Sequence, residues 1–143
     1  EDDVDEAVRD LVRIGYDNVV AFATLETLQR YLSDAETASI EEIDFAELEQ
    51  RRHADNTAVV DVRFRSEYDA GHVDGAHNAS YTRLPEYAAD LPTNETLIVH
   101  CGSGARAAAA SAYLQRSGRS VVYVNGNFSD YEAPVTAGDA VAA

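Results

Sequence analysis

The chain has 143 residues, 45% of them hydrophobic, which is enough for a folded domain with a buried core. Its formal net charge is −15 at pH 7, and every one of its 11 basic residues is an arginine, so we expect neither nucleic acid nor an anionic membrane surface as a partner. No apolar run approaches the roughly 20 residues that a membrane span needs. The single cysteine permits no internal disulfide and, without a signal-peptide pattern, predicts a cytoplasmic location.

The first part of the sequence predicts two helices and a short strand. Residues 4–14 and 24–32 place apolar side chains at helical spacing. Residues 18–23 form a β-like run between them. We therefore expect residues 1–37 to be a helical extension, or the tail of a preceding domain, ahead of a separate domain at residues 38–143.

From residue 38 onward, apolar strands alternate with helical segments. The predicted strands cover residues 40–43, 58–62, 96–100 and 121–124. The predicted helical segments cover residues 45–48, 66–70, 84–89 and 105–115. This alternation indicates an α/β fold with a central parallel sheet of about five strands and helices on both faces. In such sheets, sites form beyond the carboxyl ends of the strands.

The segment after the strand at residues 96–100 carries the chemistry. Cys101 follows that strand and precedes the residues that lead into the next helix: Gly102, Ser103, Gly104, Ala105 and Arg106. The amides of a tight loop at a helix N-terminus can converge on an anion, and the arginine adds a fork of donors. No acidic residue occurs from residue 96 to 129. The pattern predicts a reactive thiolate at Cys101 beside an anion-binding loop.

The same loop allows other interpretations. A free cysteine is most often a small buried hydrophobic residue. Residues 102–107 match Gly-x-Gly-x-x-Ala of dinucleotide-binding proteins, but the acidic residue expected about 20 positions further on is missing. A thioredoxin-like site needs a second cysteine. The cysteine-phosphatase signature places five residues between Cys and Arg, whereas four separate Cys101 from Arg106.

An ordered set of motifs resembles the rhodanese family of sulfurtransferases. Asp61-Val62-Arg63 resembles the family's Asp-Val-Arg at a strand end. Glu67 and residues 71–78 resemble its Glu followed by Gly-His-Ile-x-Gly-Ala-x-Asn. Residues 101–106 match its Cys-x-x-Gly-x-Arg, and residues 122–126 resemble the strand before its Gly-Gly turn. The resemblance implies a single rhodanese-like domain.

The departures from the family pattern fall at the rim of the expected site. Gly126-Asn127 stands where the family has Gly-Gly, and Phe128 or Tyr131 stands where it has Trp. Ala107 replaces the serine that often follows the loop arginine. These differences concern the choice of substrate more than the nucleophile.

The resemblance implies a double-displacement reaction without a metal or an organic cofactor. The Cys101 thiolate takes the outer sulfur of a small anionic donor, such as thiosulfate or a persulfide. A thiophilic acceptor, such as cyanide or a cellular thiol, then removes it. The loop amides would hold the persulfide and Arg106 would steer the donor. We expect a charged network to support the site: Asp61, Arg63, Glu67 and His72.

Three further residues near the site have simpler interpretations. His100 precedes the cysteine in a strand, so its side chain points to the opposite face of the sheet and is expected to be packed there. Arg65 and Arg83 are candidates for the entrance, but solvent-exposed positions are the stronger expectation.

Residues 4–23 lie outside the rhodanese resemblance. They resemble the closing segment of metallo-β-lactamase-fold proteins that carry a rhodanese domain behind them. A fused or associated domain of that fold is therefore an expected partner. Two other functions stay open beside sulfur transfer by an independent enzyme: a cysteine-based phosphatase, and a binding or sulfur-relay module of a larger protein.

Overall fold

The computed structural model describes residues 2–16, 18–34 and 38–137. In its first part, apolar side chains at helical spacing form two helices. Helix α1 spans Asp2–Arg13 and helix α2 spans Leu25–Asp34. The hydroxyl of Thr24 accepts a hydrogen bond from the amide of Thr27, which caps the start of α2. Both predicted helices are confirmed. Among the described residues, no helix has the length and apolar character that crossing a membrane requires.

The strand predicted at residues 18–23 is wrong. These residues have no regular secondary structure, and Val20 and Phe22 are 84% and 66% exposed. A high strand propensity means that side chains pack well on a sheet, so it produces a strand only where a partner strand is present. In the described part of the chain, no strand pairs with residues 18–23. The chain divides into two units, Glu1–Ala38 and Ser39–Ala143. Residues 35–37, at the expected domain boundary, lie outside the described residues.

The second unit contains seven strands and four helices among its described residues. The strands are β1 Glu41–Ile43, β2 Thr57–Asp61, β3 His72–Val73, β4 His77–Asn78, β5 Thr96–His100, β6 Val121–Val124 and β7 Val135–Thr136. The helices are α3 Phe45–Arg51, α4 Arg65–Ala70, α5 Leu84–Tyr87 and α6 Ala105–Arg116. Single 3-10 turns at Tyr81–Arg83 and Phe128–Asp130 complete the connections.

Five of these strands form one parallel sheet in the order β1-β6-β5-β2-β4. The predicted number of about five strands is therefore confirmed, and the fifth member is the two-residue strand β4, which the sequence pattern did not predict. Strands β3 and β7 form a separate antiparallel pair. Strand β5 is the middle strand, so the residue that follows it lies at the centre of the sheet's carboxyl edge.

Alternation along the strands sends side chains into two cores, one on each face of the sheet. One core joins the strands to helices α5 and α6 through Val60, Leu97, Val99, Leu84, Ala110 and Leu114. The other joins them to helix α3 through Val59, Ile98, Val122, Val124, Phe45 and Leu48. Helices thus cover both faces, and the α/β fold class is confirmed.

Candidate active site

Cys101 lies directly after the middle strand, at the carboxyl edge of the sheet, and is 1% exposed. The amide of Gly104 donates a hydrogen bond to Cys101 Sγ at 3.2 Å. Gly104 has φ of +90°, a conformation that residues with a Cβ rarely adopt. A Cβ at Gly104 would also lie 2.5 Å from the side-chain oxygen of Asn125. The contact between amide and sulfur therefore depends on a glycine at position 104.

The rest of the predicted loop surrounds this contact. Ser103 and Ala105 are exposed, while Gly102 is half-buried. The carbonyl of Gly102 accepts a hydrogen bond from the Phe128 amide at 3.0 Å. The connection after β6 therefore binds the backbone of the cysteine loop at Gly102. Sequence reasoning assigned no role to Asn125 or to the Phe128 amide; the only available signal was the Asn-Gly-Asn turn at residues 125–127.

Arg106 and Glu67 form a bidentate ion pair at the edge of the loop. Nη1 of Arg106 donates to Glu67 Oε2 at 2.7 Å, and Nη2 donates to Oε1 at 2.8 Å. The two side chains are 27% and 35% exposed. A Cβ at Gly102 would lie 3.0 Å from Arg106 Nη2 and 3.8 Å from Glu67 Oε1. The ion pair therefore lies against the loop that begins at Cys101.

This pairing changes the protonation properties of both groups. Hydrogen bonds from Arg106, opposed by partial burial and assisted by the Phe64 amide, lower the pKa of Glu67 from 4.5 to about 2. The carboxylate in turn raises the pKa of Arg106, with smaller contributions from Cys101. The guanidinium carbon also lies 5.5 Å from the centre of the Phe64 ring. Both partners are charged at every pH near neutrality.

Asp61 and Arg63 form a second ion pair, which is buried beneath the carboxyl edge. Nε and Nη2 of Arg63 donate to Asp61 Oδ2 at 2.9 and 2.6 Å, and Nη2 also donates to the Gly71 carbonyl at 2.7 Å. The Arg63 guanidinium carbon lies 3.7 Å from the centre of the Phe128 ring. The pair thus connects the end of β2 to the start of β3 and to the turn after β6.

His100 is packed on the face opposite Cys101, as its position in the strand predicts. Its ring contacts Phe45 edge-on at 5.6 Å and stacks on Phe128 at 5.5 Å between ring centres. Nε2 is 3.7 Å from Asp61 Oδ2, which is too long for a hydrogen bond. Burial lowers the pKa of His100 from 6.5 to about 4, so the ring is neutral at pH 7.

The four residues expected to support the site are divided rather than joined in one hydrogen-bonded network. Asp61 with Arg63 and Glu67 with Arg106 form separate pairs. His72 is buried elsewhere, with Nδ1 2.9 Å from the Tyr68 carbonyl oxygen and its ring stacked on Tyr68 at 3.6 Å.

The other polar residues near the edge have local partners. Arg65 pairs with Asp69 and Arg83 pairs with Glu86, and all four side chains are exposed. No group of three or more His, Cys, Asp or Glu side chains in the described ranges could hold a metal ion. The cysteine loop itself combines one thiol, the amide on its sulfur and the ion pair of Arg106 with Glu67.

Comparison with known proteins gives the same family as the motifs. Residues 44–134 match the model of the Rhodanese-like domain. The chain is 31% identical over 105 residues to the HTH-type transcriptional regulator Rv0324 of Mycobacterium tuberculosis, covering 67% of this chain and 46% of the regulator. It is 29% identical over 93 residues to the thiosulfate sulfurtransferase GlpE of Shewanella oneidensis, covering 64% of this chain and 92% of GlpE.

The fold agrees with a solved structure as well. A rhodanese-related protein from Thermoplasma volcanium superposes with a TM-score of 0.62 and 27% identity, covering 67% of this chain and 97% of that protein. The chain spans less than half the length of the mycobacterial regulator. With a family model that covers most of the chain, and with the cysteine, loop and arginine in place, the chain belongs to the rhodanese-like domain family.

Proposed function

We propose that the protein transfers a sulfane sulfur from thiosulfate or a persulfide to a thiophilic acceptor through a persulfide on Cys101. The observation that carries the proposal is the hydrogen bond from the Gly104 amide to Cys101 Sγ at the end of the middle strand. A hydrogen-bond donor that points at this sulfur stabilises negative charge on it. Membership in the rhodanese-like family and the likeness to a protein named thiosulfate sulfurtransferase support the same chemistry.

In the first step, the Cys101 thiolate attacks the outer sulfur of the donor. A bond forms between Sγ and that sulfur, and the bond from the outer sulfur to the rest of the donor breaks. The bonding electrons leave with sulfite from thiosulfate, or with a thiolate from a persulfide. The persulfide that stays on Cys101 carries one negative charge, which the amides of the loop and Arg106 stabilise.

In the second step, an acceptor such as cyanide or a thiolate attacks the terminal sulfur of the persulfide. The new bond takes that sulfur away, and the electrons of the broken sulfur–sulfur bond return to Cys101 as a thiolate. No net oxidation of the protein occurs, so none of these steps needs a cofactor. His100 takes no part as a base, because its ring lies on the opposite face of the sheet.

The burial of Cys101 favours sulfur over phosphorus as the transferred group. With 1% of the residue exposed, a substrate must bring a slender terminal atom to Sγ. A phosphoryl group brings three oxygen atoms as well, and the loop has only four residues between Cys101 and Arg106 to enclose them. The phosphatase alternative is therefore the weaker one.

A module that passes sulfur within a larger protein is a second candidate function. It is favoured by the match to the mycobacterial regulator, of which the similar region makes up 46%. A donor or acceptor would then be a persulfide or thiol of a neighbouring domain, including a fused metallo-β-lactamase-fold domain. Fast formation of the adduct but very slow turnover with free acceptors would distinguish this module from an independent enzyme.

Intact-mass spectrometry tests the proposal directly. We expect incubation with thiosulfate or glutathione persulfide to add the mass of one sulfur atom, and cyanide to remove it. Mercaptopyruvate should give the same adduct, because attack on its thiol sulfur breaks the carbon–sulfur bond and releases pyruvate as its enolate. The variant Cys101→Ser should gain no mass, while Ser103→Ala, in the same loop, should still form the adduct. No adduct on the wild-type chain with any of the three donors contradicts the proposal.

A further inference from the structure

The arginines along the carboxyl edge of the sheet are all neutralised by carboxylates. Those that follow the ends of β2, β4 and β5 form the pairs Arg63–Asp61, Arg65–Asp69, Arg83–Glu86 and Arg106–Glu67. Only the last of these pairs lies against the cysteine loop. Nη2 of Arg106 is 3.0 Å from the position that a Cβ at Gly102 would occupy. An anionic substrate that approaches Cys101 therefore meets one guanidinium, and that guanidinium already holds a carboxylate.

The geometry of that pair leaves little of Arg106 for a substrate. Both terminal nitrogens donate to Glu67, at 2.7 and 2.8 Å. The Phe64 amide holds Glu67 Oε2 from the other side at 3.1 Å. Because the carboxylate is fixed by three hydrogen bonds, an incoming anion must share Arg106 with it rather than replace it.

We propose that Glu67 determines the charge of the sulfur donor, so that the site favours donors with one negative charge over doubly charged thiosulfate. The inference rests on the proposed sulfur transfer. Glu67 cancels the charge of Arg106, which leaves the second charge of a dianion without a partner and only a few ångströms from a carboxylate. A dianion also loses more hydration than a monoanion on entering the loop. Alkyl persulfides and thiosulfonates are the donor class that fits.

Thiosulfate and methanethiosulfonate form a matched pair of probes for this selection. In each, the Cys101 thiolate attacks a sulfane sulfur bound to an oxidised sulfur, and the sulfur–sulfur bond of the donor breaks. The bonding electrons leave as sulfite from thiosulfate and as methanesulfinate from methanethiosulfonate. The donors differ by one unit of charge, so the ratio of their kcat/KM values isolates the effect of charge.

The test measures that ratio, with cyanide as acceptor and at low ionic strength, in the wild type and in three variants. We expect Glu67→Gln to raise kcat/KM for thiosulfate relative to methanethiosulfonate by about tenfold or more, because the interaction of two unit charges a few ångströms apart lies between its strength in water and its larger strength at a protein surface. Glu67→Asp keeps the charge and should keep the wild-type ratio. Glu86→Gln removes an equal charge from an exposed pair and should also keep it.

A purely structural role for Glu67 gives a different result. Glu67→Gln would then lower kcat/KM for both donors by the same factor, and the proposal would be overturned. If the wild type takes sulfur from neither donor and gains no mass from glutathione persulfide either, the proposed function itself fails. Transfer from either donor with a ratio that Glu67→Gln leaves unchanged defeats only the role of Glu67.

A measurement on the wild type alone covers the case in which Glu67→Gln does not fold. Sulfate and methanesulfonate are unreactive anions with the charges of the two donors. At constant ionic strength, methanesulfonate should inhibit turnover at about tenfold lower concentration than sulfate, because it carries one charge less towards Glu67. Stronger inhibition by sulfate would overturn the proposal.

Discussion

Two ion pairs lie at the carboxyl edge of the sheet, and they differ mainly in burial. The side chains of Asp61 and Arg63 are 0% and 6% exposed, and those of Glu67 and Arg106 are 35% and 27% exposed. Each pair joins an arginine to a carboxylate through bidentate hydrogen bonds. Only the second reaches the cysteine loop, so the first is a structural element and the second is available to a substrate.

The difference in burial explains why one ion pair stabilises the fold while the other can respond to a ligand. A buried pair has lost its hydration, so either partner left alone is a large energetic cost. A half-exposed pair keeps water as an alternative partner, so its contribution to stability is small and its charges can respond to a ligand. The following predictions test this contrast and the packing around the cysteine loop, in order of decreasing expected effect on stability.

Arg63→Met should lower the free energy of unfolding by about 3–5 kcal/mol, because it leaves the Asp61 carboxylate buried without its partner. Urea denaturation with a structural probe measures the loss. Arg65→Met, which breaks the exposed pair with Asp69, is the matched control and should change stability by less than about 1 kcal/mol. Equal losses in the two variants would remove the distinction based on burial.

Acidification should destabilise the protein first through His100. Its pKa is 6.5 when unfolded and about 4 when folded, so the unfolded chain binds the proton more readily. The contribution is complete above pH 6.5 and is lost as the pH falls towards 4, by up to about 3 kcal/mol. His100→Phe keeps the aromatic contacts and should flatten this part of the stability profile. An unchanged slope in that variant argues against His100 as the cause.

Glu67 should act in a lower pH window than His100. Its pKa falls from 4.5 to about 2 on folding, so its contribution is present above pH 4.5 and is lost as the pH falls towards 2. Glu67→Gln should therefore leave the stability profile unchanged between pH 6.5 and 5, where His100 titrates. Denaturation curves at intervals of pH separate the two groups.

Gly104→Ala should cost about 1–3 kcal/mol in backbone strain, with an added contribution from the contact with Asn125. Gly118→Ala is the matched control, since Gly118 has φ of +83° and no atom within 4 Å of its Cβ position. The difference between the two melting temperatures isolates the contact with Asn125. Only Gly104→Ala should slow alkylation of Cys101, because only it moves the amide on the sulfur.

Arg106→Met should change the free energy of unfolding by less than about 1 kcal/mol, because the pair with Glu67 is partly hydrated. The same change should lower kcat/KM for sulfur transfer by about a hundredfold, since it removes a donor to developing negative charge. Parallel urea and kinetic measurements check both values. A loss of stability as large as that of Arg63→Met would make Arg106 a structural residue too.

The sheet was predictable where the strands carry runs of apolar residues. Residues 96–100 and 121–124 are almost continuously apolar, and they are strands with these bounds in the structure. The two-residue strand at His77–Asn78 is too short for any pattern and exists because β2 offers it an edge. Residues 18–23 have strand propensity but no partner, which shows that pairing, not composition, decides such segments.

The sequence motifs named the residues of the candidate site but not how they pair. The loop motif identified Cys101 and Arg106, and the strand alternation placed His100 on the other face. The partnership of Arg106 with Glu67 spans 39 positions and depends on the fold bringing residues of α4 and α6 together, which no local pattern records. The expected network separates into the pair of Asp61 with Arg63 and the pair of Glu67 with Arg106. His72 lies apart beside Tyr68, and this separation is a property of the folded chain.

The hydrogen bond from the Phe128 amide to the Gly102 carbonyl lets the opening of the cysteine loop be followed at a residue outside the loop. Any opening of the loop around Gly102 must release that amide to solvent. Its deuterium exchange rate therefore reports how often the loop opens, at a residue that carries none of the chemistry. Measuring the exchange of the same amide before and after treatment with thiosulfate would show whether the proposed persulfide on Cys101 changes how often the loop opens.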